Sequence, residues 1–189
     1  MEDKFPSARR RFIAASFVDS LGQGVYVPLT MLFVHALTGQ SLTAIGTGLT
    51  LAGLGALASM PVIGSLIDRF GGKRVYAGAL ALRAIGFALY PLAHSYTAFL
   101  AVALVVAVAM WAASPSQQSL IGDLAEGEER DRLLAWDRSL RNGGMGFGSL
   151  AAAGMLALGG ASGDAGAGFL AAAAVLAAAC AAAALVVAS

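Results

Sequence analysis

Four polar side chains stand inside long apolar segments of this chain and are its best candidates for chemistry. Asp19 and Arg83 are charged, and Gln117 and Gln118 are amides. A polar or charged group in such a segment is costly unless it faces a partner or a water-filled cavity. Each of the four is therefore a candidate for binding a solute or a proton, or for a contact between helices.

The two charges are expected at similar depth. Asp19 follows Arg11 by eight residues, which places it about 12 Å along a helix at ~1.5 Å rise per residue. Arg83 follows Arg74 by nine residues, or about 13.5 Å by the same rise. Because both segments start from a basic end, the two side chains could pair. A structural pair and a role in substrate or proton coupling both stay open.

The two glutamines follow Pro115 in a later apolar segment. Proline removes a helical hydrogen bond and predicts a kink there. Adjacent residues on a helix point about 100° apart, so one glutamine can face a lumen while the other packs on a neighbour. Hydrogen bonding between helices is the alternative use of such groups.

The composition indicates a bilayer as solvent. The chain has 189 residues, of which 58% are hydrophobic and 12% charged, against about 25% charged in a typical soluble domain. A net charge of +1 argues against a nucleic-acid partner. We find neither metal-ligand spacing nor a nucleophile with its base, so the sequence predicts no metal site, no cofactor and no enzyme.

Six segments are each long enough to cross the ~30 Å hydrocarbon core, which takes roughly 20 helical residues. No strand-like alternation is sustained, so we predict an all-α polytopic membrane protein with six transmembrane helices. Residues 1–11 form the predicted N-terminal segment. The predicted spans within 12–189 lie near 12–37, 44–67, 75–93, 97–121, 138–159 and 166–188.

The basic residues predict the orientation. Eleven of the 12 Lys and Arg residues lie before the first span, between the second and third, or around the start of the fifth. The positive-inside rule then places both termini in the cytoplasm of a cell (inner or plasma) membrane. Arg138 and Arg141 open the fifth span, and anchoring at the cytoplasmic surface is preferred for them over substrate contact.

Further along that span, Gly144 and Gly148 have a spacing that permits close helix approach.

A short charged loop joins the second and third spans at residues 64–74. It resembles the cytoplasmic loop between helices 2 and 3 of the major facilitator superfamily, which reads G-x-L-x-D-R-x-G-R-K/R. Gly72 departs from the basic residue of that pattern, and Arg74 supplies a cation two positions later. The residues in place are Gly64, Leu66, Asp68, Arg69, Gly71 and Lys73. The chain as a whole resembles the N-terminal six-helix half of such a transporter.

The resemblance implies transport of a small solute by alternating access. It implies that spans 1 and 4 line the cavity and that span 3 packs peripherally, which favours Asp19 over Arg83 as the site residue. It also implies that Asp68 and nearby cations form a latch, with Arg69, Lys73 and the basic start of span 5 as available partners. Proton-coupled exporters of the family carry an arginine in span 4 and a Gly-Pro pair in span 5, and this chain has neither. The expectation of proton-coupled export therefore rests on Asp19.

Members of that family usually have twelve spans, with the substrate cavity between two six-helix halves. We therefore expect a second half as partner, supplied by further sequence or by another copy, besides a small solute, protons and the lipid bilayer. A half alone would leave its cavity wall, with Asp19 and the glutamines, facing lipid. The alternative is a truncated or non-transporting six-helix protein that acts as an interaction module.

Overall fold

The computed structural model describes residues 6–162, 174, 177–185 and 187 of the chain. These residues contain helices and no strand, which confirms the predicted all-α class for them. Residues 177–185 are also helical. Residues 1–5 and part of the predicted span 166–188 lie outside the described residues. The longer elements are α1 (Pro6–Thr38), α2 (Leu42–Ala58), α3 (Met60–Phe70), α4 (Gly72–Leu89), a 3-10 turn (Tyr90–Leu92), α5 (Tyr96–Leu124) and α6 (Gly127–Ser162).

Two of these helical stretches are each long and apolar enough to cross a membrane. They are Gly72–Leu92 and Tyr96–Leu124. The number within the described residues rises to four if each of two bent helix pairs counts as one span. The described residues therefore support between two and four spans by length and composition, and six spans stay a prediction.

The predicted span 44–67 consists of two helices, α2 and α3, which meet at a bend of 47°. The break falls at Ser59, whose hydroxyl donates a 2.6 Å hydrogen bond to the carbonyl oxygen of Ala56. Pro61 lies in the first turn of α3, where its missing amide hydrogen costs nothing. Inside a continuous helix the same proline would remove a backbone hydrogen bond, so α2 ends and α3 begins here.

Serine side chains begin α2 and α5. Ser41 accepts a hydrogen bond from the amide of Ala44, and Ser95 accepts one from the amide of Ala98, both at 3.2 Å. Each bond satisfies an amide that has no partner within the helix. α5 then continues as one helix through Pro115, and the kink expected at this proline stays a prediction.

α6 is much longer than the bilayer requires. Its 36 residues extend about 54 Å at ~1.5 Å per residue, and the predicted span 138–159 lies inside it. The first turns carry most of its charges, beginning with Glu128 and Glu129. α6 is therefore charged in its first turns and mainly apolar after them.

The buried apolar residues form two clusters along the bundle. One contains Phe12, Tyr76 and Leu80, and lies toward the end of the bundle that carries the α3–α4 hairpin. The other contains Phe87 and Phe99, and lies toward the opposite end. Along α4, residues of the first cluster end at Leu80 and those of the second begin at Ala84. Position 83 thus falls at the boundary between two apolar layers.

α1 packs most extensively on α6, and glycines make this contact possible. A β-carbon at position 148 would overlap the carbonyl oxygen of Leu21, and one at position 144 would lie 2.6 Å from the β-carbon of Ser20. The hydroxyl of Ser149 donates a 3.2 Å hydrogen bond to the carbonyl oxygen of Gly24. The Gly144 and Gly148 spacing therefore does permit the close approach that the sequence predicts.

We expect Gly148→Val to destabilise the bundle by about 3 kcal/mol or more, because a side chain there must push α1 and α6 apart. Gly146→Val is the matched control, since no atom lies within 4 Å of a β-carbon at that position. Thermal unfolding of both variants in detergent measures the difference. Equal stability of the two would show that α1 and α6 do not meet at Gly148.

Candidate functional site

Asp19 on α1 and Arg83 on α4 form a buried ion pair between Oδ1 and Nη2. Only 4% of Asp19 and 1% of Arg83 is exposed. The second carboxylate oxygen of Asp19 accepts a 2.9 Å hydrogen bond from Nε2 of Gln23, one turn further along α1. The structure thus brings together the two charges whose equal depth is predicted from the sequence, and it ties α1 to α4.

Gln117 on α5 is the centre of a second polar group. Its Nε2 donates to the hydroxyl of Ser16 at 2.8 Å and to Oδ1 of Asp137 at 2.7 Å. Its Oε1 accepts a 2.6 Å hydrogen bond from Nη2 of Arg141, which also lies 3.3 Å from Oδ2 of Asp137. One glutamine therefore joins α1, α5 and α6 through both ends of its amide.

The two polar groups share one face of α1. Ser16 and Asp19 are three residues apart, so they lie next to each other on the helix surface. Ser16 contacts the glutamine group, and Asp19 contacts Arg83. Together they form a polar layer through the bundle, in which α1 is the common element.

This arrangement corrects the expectation that Asp19 and both glutamines face outward from a lone half. Asp19 and Gln117 are buried inside the bundle, because partners on α4 and α6 satisfy them there. Gln118, which points about 100° away from Gln117 on the helix, is exposed. Within the described part of the chain, the side chain of Gln118 hydrogen-bonds only to the hydroxyl of Ser114, at 3.5 Å.

Gln118 borders an open groove of about 540 Å³ on the outside of the bundle. Trp111, 43% exposed, forms another part of it. The lining combines an amide, a hydroxyl, an indole and two thioethers, and contains no charged residue. Its members are Met60, Met110, Trp111, Ser114, Pro115 and Gln118.

The model of the Major Facilitator Superfamily matches residues 12–189. The chain belongs to this superfamily. Its members are membrane transporters of small solutes rather than enzymes, so the chain is an integral membrane protein of a transport family. No curated protein matches it.

The family hairpin joins α3 to α4, with Gly71 between the two helices. Gly71 has φ +81°, a left-handed conformation that favours glycine. Gly64 on α3 is exposed, and a β-carbon at this position would have no packing neighbour within 4 Å. Close packing against α5 explains why glycine stands at position 72, where the facilitator pattern has a basic residue. A β-carbon there would lie 2.8 Å from the carbonyl oxygen of Ser116, so the basic side chain of the pattern does not fit against α5.

The charged residues of the facilitator hairpin are all exposed. Asp68 makes no ion pair with any described residue, so none of its expected partners holds it in this structure. The guanidinium carbon of Arg69 lies 5.3 Å from the ring centre of its neighbour Phe70. Lys73 and Arg74 are exposed on the first turn of α4.

Arg138 and Arg141 have different surroundings, although the sequence predicts anchoring at the membrane surface for both. Arg138 is exposed, and Arg141 is half-buried against Gln117 and Asp137. Sequence reasoning missed Asp137 and Ser16 as members of the polar layer. Two spacings could have found them: Asp137 precedes Arg141 by four residues, and Ser16 precedes Asp19 by three.

Among the described residues no three His, Cys, Asp or Glu side chains lie close enough to hold a metal ion.

The buried pair leads to a double-mutant prediction. Asp19→Asn and Arg83→Gln should each destabilise the folded protein by about 3–5 kcal/mol, because each leaves a buried charge without its partner. The double variant should be more stable than either single variant. Asp123→Asn, at an exposed carboxylate on α5, is the control and should change stability by less than about 0.5 kcal/mol.

Thermal unfolding in detergent, completed as a double-mutant cycle, measures the coupling between the two positions. If the two single losses simply add, the charges do not pair in the folded protein.

Proposed function

We propose that this protein moves a small solute across the cell membrane by alternating access, as the N-terminal six-helix bundle of a facilitator-type carrier. A second six-helix half, from the same polypeptide or from another copy, completes the cavity. The observation that carries the proposal is the contrast on α5. Gln117 ties the bundle together internally, while Gln118 presents a polar group on an exposed groove.

The polar layer supports a rocking mechanism. Alternating access moves one bundle largely as a rigid body against the other. A bundle that rocks must keep its own helices in register. The contacts of Asp19 with α4 and of Gln117 with α1 and α6 supply that internal cohesion.

The groove beside Gln118 is the proposed solute-facing surface. Its volume of about 540 Å³ lies within the range of about 300–1,000 Å³ that small-molecule sites occupy. An amide and a hydroxyl offer hydrogen bonds, and Trp111 offers an aromatic face. A second half would cover the groove and enclose the solute between the halves.

The Asp19–Arg83 pair is the proposed element for proton coupling. Protonation of Asp19 would remove the charge that attracts Arg83 and would loosen α1 from α4. The sequence-based expectation of proton-coupled export rests on Asp19 alone. Such export would act through this pair. The role of the pair in holding the fold does not depend on such coupling.

The hairpin of α3 and α4 is the proposed cytoplasmic latch. Its exposed Asp68 is available to a cation or a helix N-terminus of the second half. The basic residues around Asp68 favour the cytoplasm for this side, and for both termini, by the positive-inside rule. The latch would hold the two halves together when the cytoplasmic side is closed.

Cysteine labelling tests whether the groove faces water. Cys180 is the single cysteine of the sequence and is buried. In a Cys180→Ala background, we expect Gln118→Cys in native membranes to react with a charged, membrane-impermeant maleimide. Ile85→Cys is the control, since Ile85 is 56% exposed on α4 but is expected to face lipid. A water-filled cavity lets the reagent reach the thiol, and a lipid contact does not. Similar labelling of both positions, or of neither, would contradict a solute-facing groove.

A second labelling experiment tests the latch. Asp68→Asn should increase the rate of Gln118→Cys labelling from the cytoplasmic side several-fold, because losing about 1 kcal/mol from the closed state shifts the ratio of states roughly fivefold. Glu126→Gln removes an exposed carboxylate from the same side of the protein and should leave the rate unchanged. An unchanged rate in Asp68→Asn would exclude the latch.

A further inference from the structure

A second groove lies on another side of α3, between α3 and α4 with α5 as its floor. Its volume is about 330 Å³, and nearly all of its surface is apolar. We call it the α3–α4 groove. Representative lining residues are Leu66, Phe70, Val75, Leu82 and Val108. It is separate from the groove beside Gln118, and the two share no lining residue.

Arg74 is the one charged residue that lines this groove. It lies at the hairpin end, in the first turn of α4, and it is exposed. Among the described residues it makes no ion pair. Its neighbour Lys73 has the same charge and is also exposed, but does not line the groove. The groove therefore has a polar, cationic end and an apolar body.

The dimensions match one leaflet of a bilayer. Arg74 and Leu82 are eight residues apart on α4, or about 12 Å at ~1.5 Å per residue. Half of the ~30 Å hydrocarbon core is about 15 Å. A side chain at one end of the groove can therefore meet a lipid headgroup while the rest of the groove contacts the acyl chain below it.

We propose that the α3–α4 groove binds an anionic phospholipid. One acyl chain lies along the apolar body, and the phosphate contacts the guanidinium of Arg74, which can bind two oxygens of a phosphate at once. Basic pockets between transmembrane helices bind anionic headgroups in this way. Charge complementarity selects this occupant over a zwitterionic lipid, and the apolar body selects a lipid over a free anion. The proposal does not depend on transport activity.

Native mass spectrometry of the protein released from nanodiscs tests the proposal. The nanodiscs contain phosphatidylglycerol and phosphatidylcholine with the same acyl chains in equal amounts. We expect retained phosphatidylglycerol to exceed phosphatidylcholine roughly fivefold, the preference that one basic residue near the headgroup confers. Arg74→Gln should remove the preference, and Lys73→Gln should keep it.

A third variant tests the groove itself. A β-carbon at Gly78, another lining residue, would have no atom within 4 Å. Gly78→Leu should therefore fold normally, fill the groove and lower retention of both lipids. An excess of inorganic phosphate should not displace the retained phosphatidylglycerol.

Four results would overturn the proposal. Equal losses in Arg74→Gln and Lys73→Gln would mean general attraction to the charged surface. Unchanged lipid retention in Gly78→Leu would mean that the groove is not used. A change in self-association in that variant, without a change in lipid retention, would mean that protein covers the groove. Displacement by inorganic phosphate would mean that the site takes free anions.

Discussion

The ion pair of Asp19 and Arg83 is the constraint on which the rest of the bundle depends. Neither charge can be left alone in an apolar interior, and each is removed from solvent almost completely. Their contact therefore fixes the depth of α1 relative to α4 and the rotation of each helix about its axis. Once α1 is fixed in this way, Ser16 points toward Gln117, and the second polar group forms one turn away.

Close helix contact is the other condition that the fold meets. Apolar side chains gain little by leaving lipid for protein, so helices in a membrane associate through tight packing and hydrogen bonds. Glycines supply the tight packing where α1 meets α6 and where the hairpin meets α5. Gly72 shows that close packing can take the place of a charged side chain. It replaces a basic residue of the family hairpin with a close backbone contact, and Arg74 then places its positive charge on the α3–α4 groove instead.

Much of this arrangement could be predicted from the sequence, because membrane depth is a simple function of residue number. The equal depth of Asp19 and Arg83 follows from counting residues along two helices, and the structure forms that pair. The hairpin and the helical class follow similarly from apolar length and from the family pattern. The break at Ser59 was missed, because a proline within an apolar run does not say whether the helix bends or ends.

Rotation about the helix axis could not be predicted in the same way. The sequence says that Gln117 and Gln118 point apart, but only packed neighbours decide which of them faces inward. Asp137 lies at the entry of α6, where charge is expected at a membrane surface. Its four-residue spacing to Arg141 indicates a pair on α6, but it does not show that Asp137 is buried while Arg138 is exposed. The partners of the polar layer come from helices far apart in the chain, and a single sequence does not show which of these helices meet.

The most direct test of this account is a distance between Asp19 and Arg83 in a lipid bilayer. Solid-state NMR can measure dipolar coupling from arginine side-chain ¹⁵N to aspartate ¹³Cγ in protein labelled at both residue types. Subtracting the signal of the Asp19→Asn variant isolates the contribution of Asp19. We expect a contribution that corresponds to an ion pair, with nitrogen and oxygen within about 4 Å. If the protein and the variant give the same signal, Asp19 does not meet an arginine in the membrane, and the packing of α1 on α4 is contradicted.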